Sequence, residues 1–332
     1  MNLTSTLLAC ALLSVSIGGR DPGETFEPAR GETGIQSDEK AAPRKAVLVT
    51  GASSGIGRRT TEVLAENGYF VYAGARKDSD LAALNELKNV EAVRLDVTSA
   101  SDIAAAVLQV EKGGRGLYGL INNAGVLVMA PMIEVTEEDL DFQMNVNVRG
   151  PYRVTKAFAP LLIESKGRVM TTGSISGFVT WGFGGPYTMS KHAVEAMNDC
   201  LATELGPLGV RVSVVDPGNF KSRITTNMIE RMKSRGYCGE GSYFEGRLDG
   251  IMKGTGERDQ FDAPDRVAET FLAALDSDTP KRRYMVTPNQ READMTLAAA
   301  LRRVAEINGG HEFSHSRESL HKMLDRALDQ ND

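Results

Sequence analysis

Tyr187 and Lys191 stand four residues apart, and their types and spacing could move a proton. In a helix such a pair shares one face. An isolated phenol ionises near pH ~10 and is a poor general base at neutral pH. An ammonium one turn away favours the phenolate, which suits the pair to giving and taking a proton at a substrate oxygen. A solvated Tyr and Lys on an amphipathic helix is the alternative the pair alone leaves open. A second candidate is Thr50-Gly51-Ala52-Ser53-Ser54-Gly55-Ile56-Gly57, directly after the apolar run Ala46-Val47-Leu48-Val49. Glycines between a strand and a helix let the backbone come within contact distance of a pyrophosphate. The helix N-terminus then offers unpaired N–H groups and a positive dipole end to that anion. A third stretch, His311-Glu312-Phe313-Ser314-His315, fits the H-E-x-x-H spacing of zinc proteases. Two glycines precede it and the segment is polar, so it reads as a loop entering a helix, and no metal site is assigned.

These groups need elements to position them. Short β-branched and apolar runs predict strands at 46–50, 70–75, 90–95, 119–122, 168–172, 210–215 and 284–287. Amphipathic stretches between them predict helices at 56–67, 79–88, 99–111, 136–165, 186–205 and 265–276. Ser99 and Thr136 each have an Asp three residues on, a capping box with Asp in place of Glu. The alternation implies an α/β fold, a single-domain Rossmann-type doubly wound parallel sheet with helices on both faces. That domain is expected over 45–290. Residues 219–258 break the alternation and read as a lid inserted over the substrate, and 291–332 form a C-terminal helical extension with helices at 295–307 and 316–329.

Composition limits the alternatives. The 332 residues carry 38 Lys+Arg against 44 Asp+Glu, a net charge of −6, with 41 % hydrophobic residues. This excludes wholesale disorder and fibrous classes, and it offers no electrostatic footprint for nucleic acid. Cys10, Cys200 and Cys238 are too scattered for a disulfide framework or a thiolate zinc site, and a reducing cytoplasm suits them. Cys200 is expected to be buried in the 186–205 helix. The apolar run Leu7 to Ile17 is eleven residues, short of the ~20 that span a bilayer. No Lys or Arg precedes it and no A-x-A site follows. Leu7-Leu8-Ala9-Cys10 looks like a lipoprotein box set too near the start. Residues 1–44 are therefore read as an apolar segment plus disordered linker, with a signal, an arm or a mis-called start all open.

Six segments in order resemble the short-chain dehydrogenase/reductase family. They are the G-x-x-x-G-x-G turn, Leu95-Asp96-Val97, Asn122-Asn123-Ala124-Gly125, Asn147-Val148-Arg149-Gly150, Tyr187-Thr188-Met189-Ser190-Lys191 with Ser174 upstream, and Asp216-Pro217-Gly218-Asn219-Phe220. The resemblance covers about residues 45–290 and lies nearest the retinol, hydroxysteroid and 3-hydroxybutyrate dehydrogenase branch. It implies that Asn147, Ser174, Tyr187 and Lys191 are the catalytic set. Tyr187 would donate and accept the proton, Lys191 would tune it and hold the nicotinamide ribose, and Ser174 would hold the substrate oxygen. Asn147 would support a water relaying protons through Lys191. Implied cofactor contacts are Gly51, Ser53, Ser54, Gly55, Ile56, Gly57, Arg76, Asp96, Val97, Asn123, Ala124, Gly125, Tyr187, Lys191, Pro217, Gly218, Phe220 and Ser222. Ala75 stands where NAD-specific enzymes place an acid, and Arg76 follows, so NADP(H) is favoured over NAD(H). Ser54 fills the family's other frequent basic position, which counts against that choice. The family also implies a homodimer or homotetramer built through the helices at 136–165 and 186–205.

Substrate signals are thinner. Phe178, Val179, Trp181 and Phe183, with Phe220, Met228, Met232, Tyr237, Tyr243 and Phe244, would make an apolar cleft for a steroid-, retinoid- or lipid-like alcohol or ketone, unless they pack the lid itself. Lys221 and Arg223 could instead bind a carboxylate. The reading is an NADP(H)-dependent oxidoreductase acting on a hydrophobic alcohol or carbonyl. The alternatives are an NAD(H)-dependent dehydrogenase of a small hydroxy acid such as 3-hydroxybutyrate, and a non-catalytic nucleotide sensor on the same fold.

Overall fold

The structure, a computed structural model, describes residues 44–329. The apolar segment, Cys10 and nearly all of the linker read in the sequence lie outside those residues. Strands and helices alternate from the first described turn. They are β1 (Ala46–Val49), α1 (Gly55–Glu66), β2 (Phe70–Ala75), α2 (Asp78–Asn85), β3 (Val90–Arg94), α3 (Ala100–Lys112) and β4 (Gly119–Asn122). There follow α4 (Glu137–Met144), α5 (Gly150–Glu164), β5 (Arg168–Thr172), α6 (Gly185–Leu205) and β6 (Arg211–Pro217). The chain then forms α7 (Ile224–Ser234), α8 (Glu245–Met252), α9 (Asp265–Asp276), β7 (Arg283–Val286), α10 (Gln290–Asn308) and α11 (Arg317–Asp329).

All seven strands pair in parallel, in the order β3-β2-β1-β4-β5-β6-β7. The strand order reverses between β1 and β4, whose register sets Val47 against Gly119. Alternate residues of a strand face opposite sides, so each buried strand feeds two cores. Val47 and Val49 of β1 join Leu64 of α1 and Phe271 and Leu275 of α9 on one face. Ala46 and Leu48 join Ile103 of α3 and Val154, Phe158 and Leu162 of α5 on the other. Burial of a large apolar side chain contributes about 1.5–3 kcal/mol, so these two layers hold the sheet and, with it, the loops at its ends.

Four departures from the sequence reading have physical causes. The helix expected over 136–165 is two helices joined by a π-helical turn, Asn145–Arg149. Gly150 closes that turn against Val97, where a Cβ would come 2.7 Å from Cγ2. The 219–258 insertion contains α7 and α8, whose apolar residues close on one another as a separate small core. Helix α10 begins at Gln290, five residues before the expected start, because Asn289 caps it by accepting the Glu292 N–H. Cys200, expected to be buried, is exposed; Val194 and Asn198 of α6 face the sheet, and a residue two further on points away from them. The apolar stripes of the extension, Leu297, Leu301 and Val304 on α10 and Met323 and Leu324 on α11, also face solvent in this chain.

Candidate active site

The residues singled out for chemistry lie at the carboxyl ends of β1 to β6, around the point where strand order reverses, which is where ligands bind in open α/β sheets. At the β1 end Gly51 has φ 66° and lies so close to the β4 loop that a Cβ would come 2.8 Å from Cα of Ala124. Only glycine meets both demands. The Thr50 hydroxyl ties the loops together, accepting from the N–H groups of Asn123 at 2.9 Å and Ala124 at 3.0 Å. Helix α1 then starts without a side-chain cap from Ser54 and with no acid in its first turn. Its first N–H groups and dipole end are therefore open to an anion, and the turn fits a dinucleotide's pyrophosphate. Ser222 faces this turn from the loop after β6, its Cβ 3.2 Å from where a Gly55 Cβ would sit.

The end of β2 bears on the ribose. Arg76 is two-thirds exposed and stands 3.6 Å from Asp96, while Arg94 donates to the Arg76 carbonyl at 2.7 Å. Burial of Asp96 opposes its ionisation, but the Thr98 amide and hydroxyl both donate to Oδ1 and, with Arg76, hold the carboxyl below its ordinary range. No carboxylate occupies position 75, although the Asp96 carboxylate pairs with Arg76.

The four candidate catalytic residues come from three places in the chain: Tyr187 and Lys191 from α6, Ser174 from the turn after β5 and Asn147 from the π-helical turn. Lys191 in α6 is buried and donates to the Thr172 carbonyl at 2.8 Å, with its Nζ 5.6 Å from the Tyr187 ring centroid. Ser174 follows β5, its Oγ accepting from Ser176 N–H at 3.1 Å. The Ser174 O–H itself has no acceptor among the described residues. Asn147 sits in the π-helical turn, a feature common at functional sites. Its amide donates to the Val126 carbonyl and Ser190 Oγ and accepts from Val126 N–H. Both of its N–H groups are spent on positioning, and a relay water would have only oxygen to bind. His192, next to Lys191 in α6, is half-buried with Nδ1 2.7 Å from the Thr188 carbonyl. The Phe220 side chain packs in the sheet core, so any cofactor contact there is through its backbone.

Three functional groups escaped the sequence reading. Asp216 ends β6 beneath Ser174 and accepts its N–H at 2.9 Å. Burial pushes this carboxyl well above its ordinary range, and the neighbouring Glu195 carboxylate adds to the shift. Glu195 Oε2 is held by Arg283 at 2.7 Å, and Oε1 has no partner unless Asp216 carries a proton to donate. Glu292 of α10 reaches back to the turn after β6, accepting from Asn219 N and Nδ2. Arg258 donates to Asn219 Oδ1 at 2.8 Å and to the Phe220 carbonyl at 3.0 Å. A capping signal at Asn289 could have placed Glu292 in a first helical turn; nothing local marks Arg258. Lys221, by contrast, is paired with Asp259 at 2.7 Å. In the H-E-x-x-H stretch, His311 Nε2 lies 3.0 Å from the Ile307 carbonyl and His315 N–H donates to Asn308.

A sequence profile of the short chain dehydrogenase family matches residues 45–233. The D-beta-hydroxybutyrate dehydrogenase of Rattus norvegicus mitochondria is 37 % identical over 220 residues, 63 % of this chain and 64 % of that enzyme. The 17-beta-hydroxysteroid dehydrogenase type 6 of Homo sapiens is 38 % identical over 196 residues, 57 % of this chain and 62 % of that one. The chain thus spans under two thirds of these relatives' length. Among solved structures, an actinorhodin polyketide ketoreductase with NADPH superposes with a TM-score of 0.61 at 27 % identity, covering 74 % of this chain and 96 % of that one. No helix among the described residues is long and apolar enough to cross a membrane.

Proposed function

This chain belongs to the short chain dehydrogenase family of oxidoreductases, and from that premise we propose that it interconverts an alcohol and a carbonyl with NADP(H) as the preferred cofactor. What supports this reading is Lys191 set beside the Tyr187 ring on α6 and bonded to the Thr172 carbonyl at the end of β5, the strand that Ser174 follows. The nicotinamide, when bound, gives or takes the hydride. Tyr187 gives its phenolic proton to the substrate oxygen in reduction and takes it back in oxidation. Ser174 O–H donates to the same oxygen and holds it at the phenol. Lys191, fixed by the Thr172 carbonyl, presents its remaining N–H groups to the ribose and its charge to the phenol. Asn147 keeps the Val126 loop and the Ser190 turn of α6 in register. A nucleotide sensor would have no need of a positioned phenol.

Cofactor preference rests on Arg76 and on the missing acid at position 75. For the substrate, the apolar residues that favoured a steroid-like ligand are largely consumed elsewhere. Met228, Met232 and Phe183 bury one another, and Tyr237 donates to Asp139 at 2.7 Å. This supports a compact polar substrate, the hydroxy-acid alternative, over a bulky lipid-like one. Tyr187→Phe should abolish turnover while cofactor binding survives. Thermal shifts with NADPH and NADH test the preference, since a ligand at 100 times its Kd stabilises by about 2.7 kcal/mol. Turnover retained in Tyr187→Phe would refute the proton donor; a larger shift with NADH would refute the role of Arg76.

A further inference from the structure

The half-buried arginines around this fold mostly meet carboxylates. Arg59 pairs with Asp265 at 2.6 Å, Arg231 with Asp139 at 2.6 Å, and Arg283 with Glu195 and Asp199 at 2.7 Å each. Arg258 does not. Its Nε donates to the Phe220 carbonyl at 3.0 Å, Nη1 to Thr225 Oγ1 at 3.3 Å and Nη2 to Asn219 Oδ1 at 2.8 Å, all neutral oxygens. Arg168 likewise bonds only carbonyls, but it begins β5, at the amino end of the strands and away from the site. A desolvated cation without an anion is costly unless a partner arrives. Burial pushes the Arg258 guanidinium below its ordinary range, against the pull of Tyr187 and Glu292. Its partners Asn219 and Phe220 follow β6, at the same carboxyl end of the sheet as Thr172, to which Lys191 of the Tyr187 helix is bonded.

The guanidinium is also held rigidly. Three donors are bonded, its Cζ lies 4.5 Å from the Phe261 ring centroid, and Asn219 is itself fixed by both oxygens of Glu292. A guanidinium has five N–H donors, so two remain that no described residue accepts. Donors pre-set in a planar fork match a carboxylate and lose little freedom on binding one.

We propose that Arg258, positioned by Asn219 and Glu292, binds a carboxylate of the substrate, so that the enzyme acts on hydroxy or oxo acids. This rests on the alcohol–carbonyl reading of the same cleft and names its substrate class. The cofactor's diphosphate is the other anion that could reach the loop after β6, and the test separates the two. The full chain, saturated with oxidised cofactor, is titrated calorimetrically with acetate, butyrate, hexanoate and octanoate and with their amides. At least one carboxylate should bind more tightly than its amide. Arg258→Gln should weaken that carboxylate about ten- to a hundredfold and erase its advantage over the amide. Arg258→Lys, which keeps the charge but not the fork, should lose part of the advantage and covers the case of an unstable Gln variant. The proposal fails if no carboxylate outbinds its amide, or if the advantage survives in both variants. It also fails if Arg258→Gln weakens cofactor while carboxylate discrimination persists, which would assign the guanidinium to the diphosphate. Titration needs no turnover, so either failure leaves the hydride-transfer reading standing; that reading falls only on the Tyr187→Phe kinetics.

Discussion

Ser174 is placed from behind by a buried carboxyl whose affinity for a proton is raised. Asp216 accepts the Ser174 N–H, and its burial beside Glu195 raises its affinity for a proton. A carboxyl raised in the folded state contributes stability that is complete below its unfolded value, about 3.9, and is lost as pH rises through the folded value. Asp216→Asn keeps an acceptor for Ser174 and a donor for Glu195 without a titrating proton. Melting temperatures of the wild type should therefore fall more steeply than those of Asp216→Asn as pH rises above about 4. Parallel curves would show that Asp216 is ionised in the folded protein. Turnover in Asp216→Asn should persist, whereas Asp216→Ala should release Ser174 and lower kcat by about tenfold or more.

At the scale of elements, Asp139 joins the insertion to the sheet domain. It lies in the first turn of α4, where the sequence reading made it half of a capping box. Thr136 does accept the Asp139 N–H at 3.1 Å. The Asp139 carboxylate, however, turns outward to Arg231 and Tyr237 of the insertion. Glu292 behaves in the same way, leaving its own helix start for Asn219. Ser99 caps α3 by accepting the Asp102 amide, but the Asp102 carboxylate takes the Ser99 hydroxyl and the Asp96 N–H and not the Ser99 N–H that a capping box would use. Burial opposes ionisation of Asp139, but donation from Tyr237 and Arg231 outweighs it and holds the carboxyl below its ordinary range. Its contribution is thus present above the unfolded value, about 3.9, and is lost as pH falls through the folded value. Asp139→Ala strands Arg231 and should cost roughly 3 kcal/mol of local stability. Limited proteolysis should then cut within 224–258 much faster, with the rest of the domain resistant. Unchanged cleavage would show that the Met228, Met232 and Leu248 core alone closes the insertion.

At the scale of the whole molecule, Tyr152, Lys156, Met197, Leu201 and Leu205 line an apolar groove between α5 and α6, with Tyr152 53 % exposed. These are the helices through which the family resemblance implied assembly. A charge at the centre of such a face is costly to desolvate. Leu201→Arg should therefore convert a homo-oligomer to monomer by light scattering while leaving cofactor affinity intact. A variant that still assembles would move assembly to another surface, and a wild type that is already monomeric would refute assembly through this groove. The exposed stripes of α10 and α11 are the next faces to examine in that event.

The sequence by itself determined the alternation and the parallel sheet, and it nominated Asn147, Ser174, Tyr187 and Lys191. Strand runs and helical periodicity are local patterns, and Tyr187 with Lys191 or Gly51 with Gly55 are fixed spacings within one turn. What it could not determine were contacts between distant segments. The break at Asn145–Arg149 depends on Val97 meeting Gly150, and the exposure of Cys200 depends on which face of α6 met the sheet. The raised proton affinity of Asp216 depends on its burial and on Glu195 arriving from another element, and Arg258 meets Asn219 and Phe220 only because the insertion folds back onto them. Charge state and recognition are set by neighbours in space, and an uncompensated guanidinium shows itself only once every neighbour has been placed.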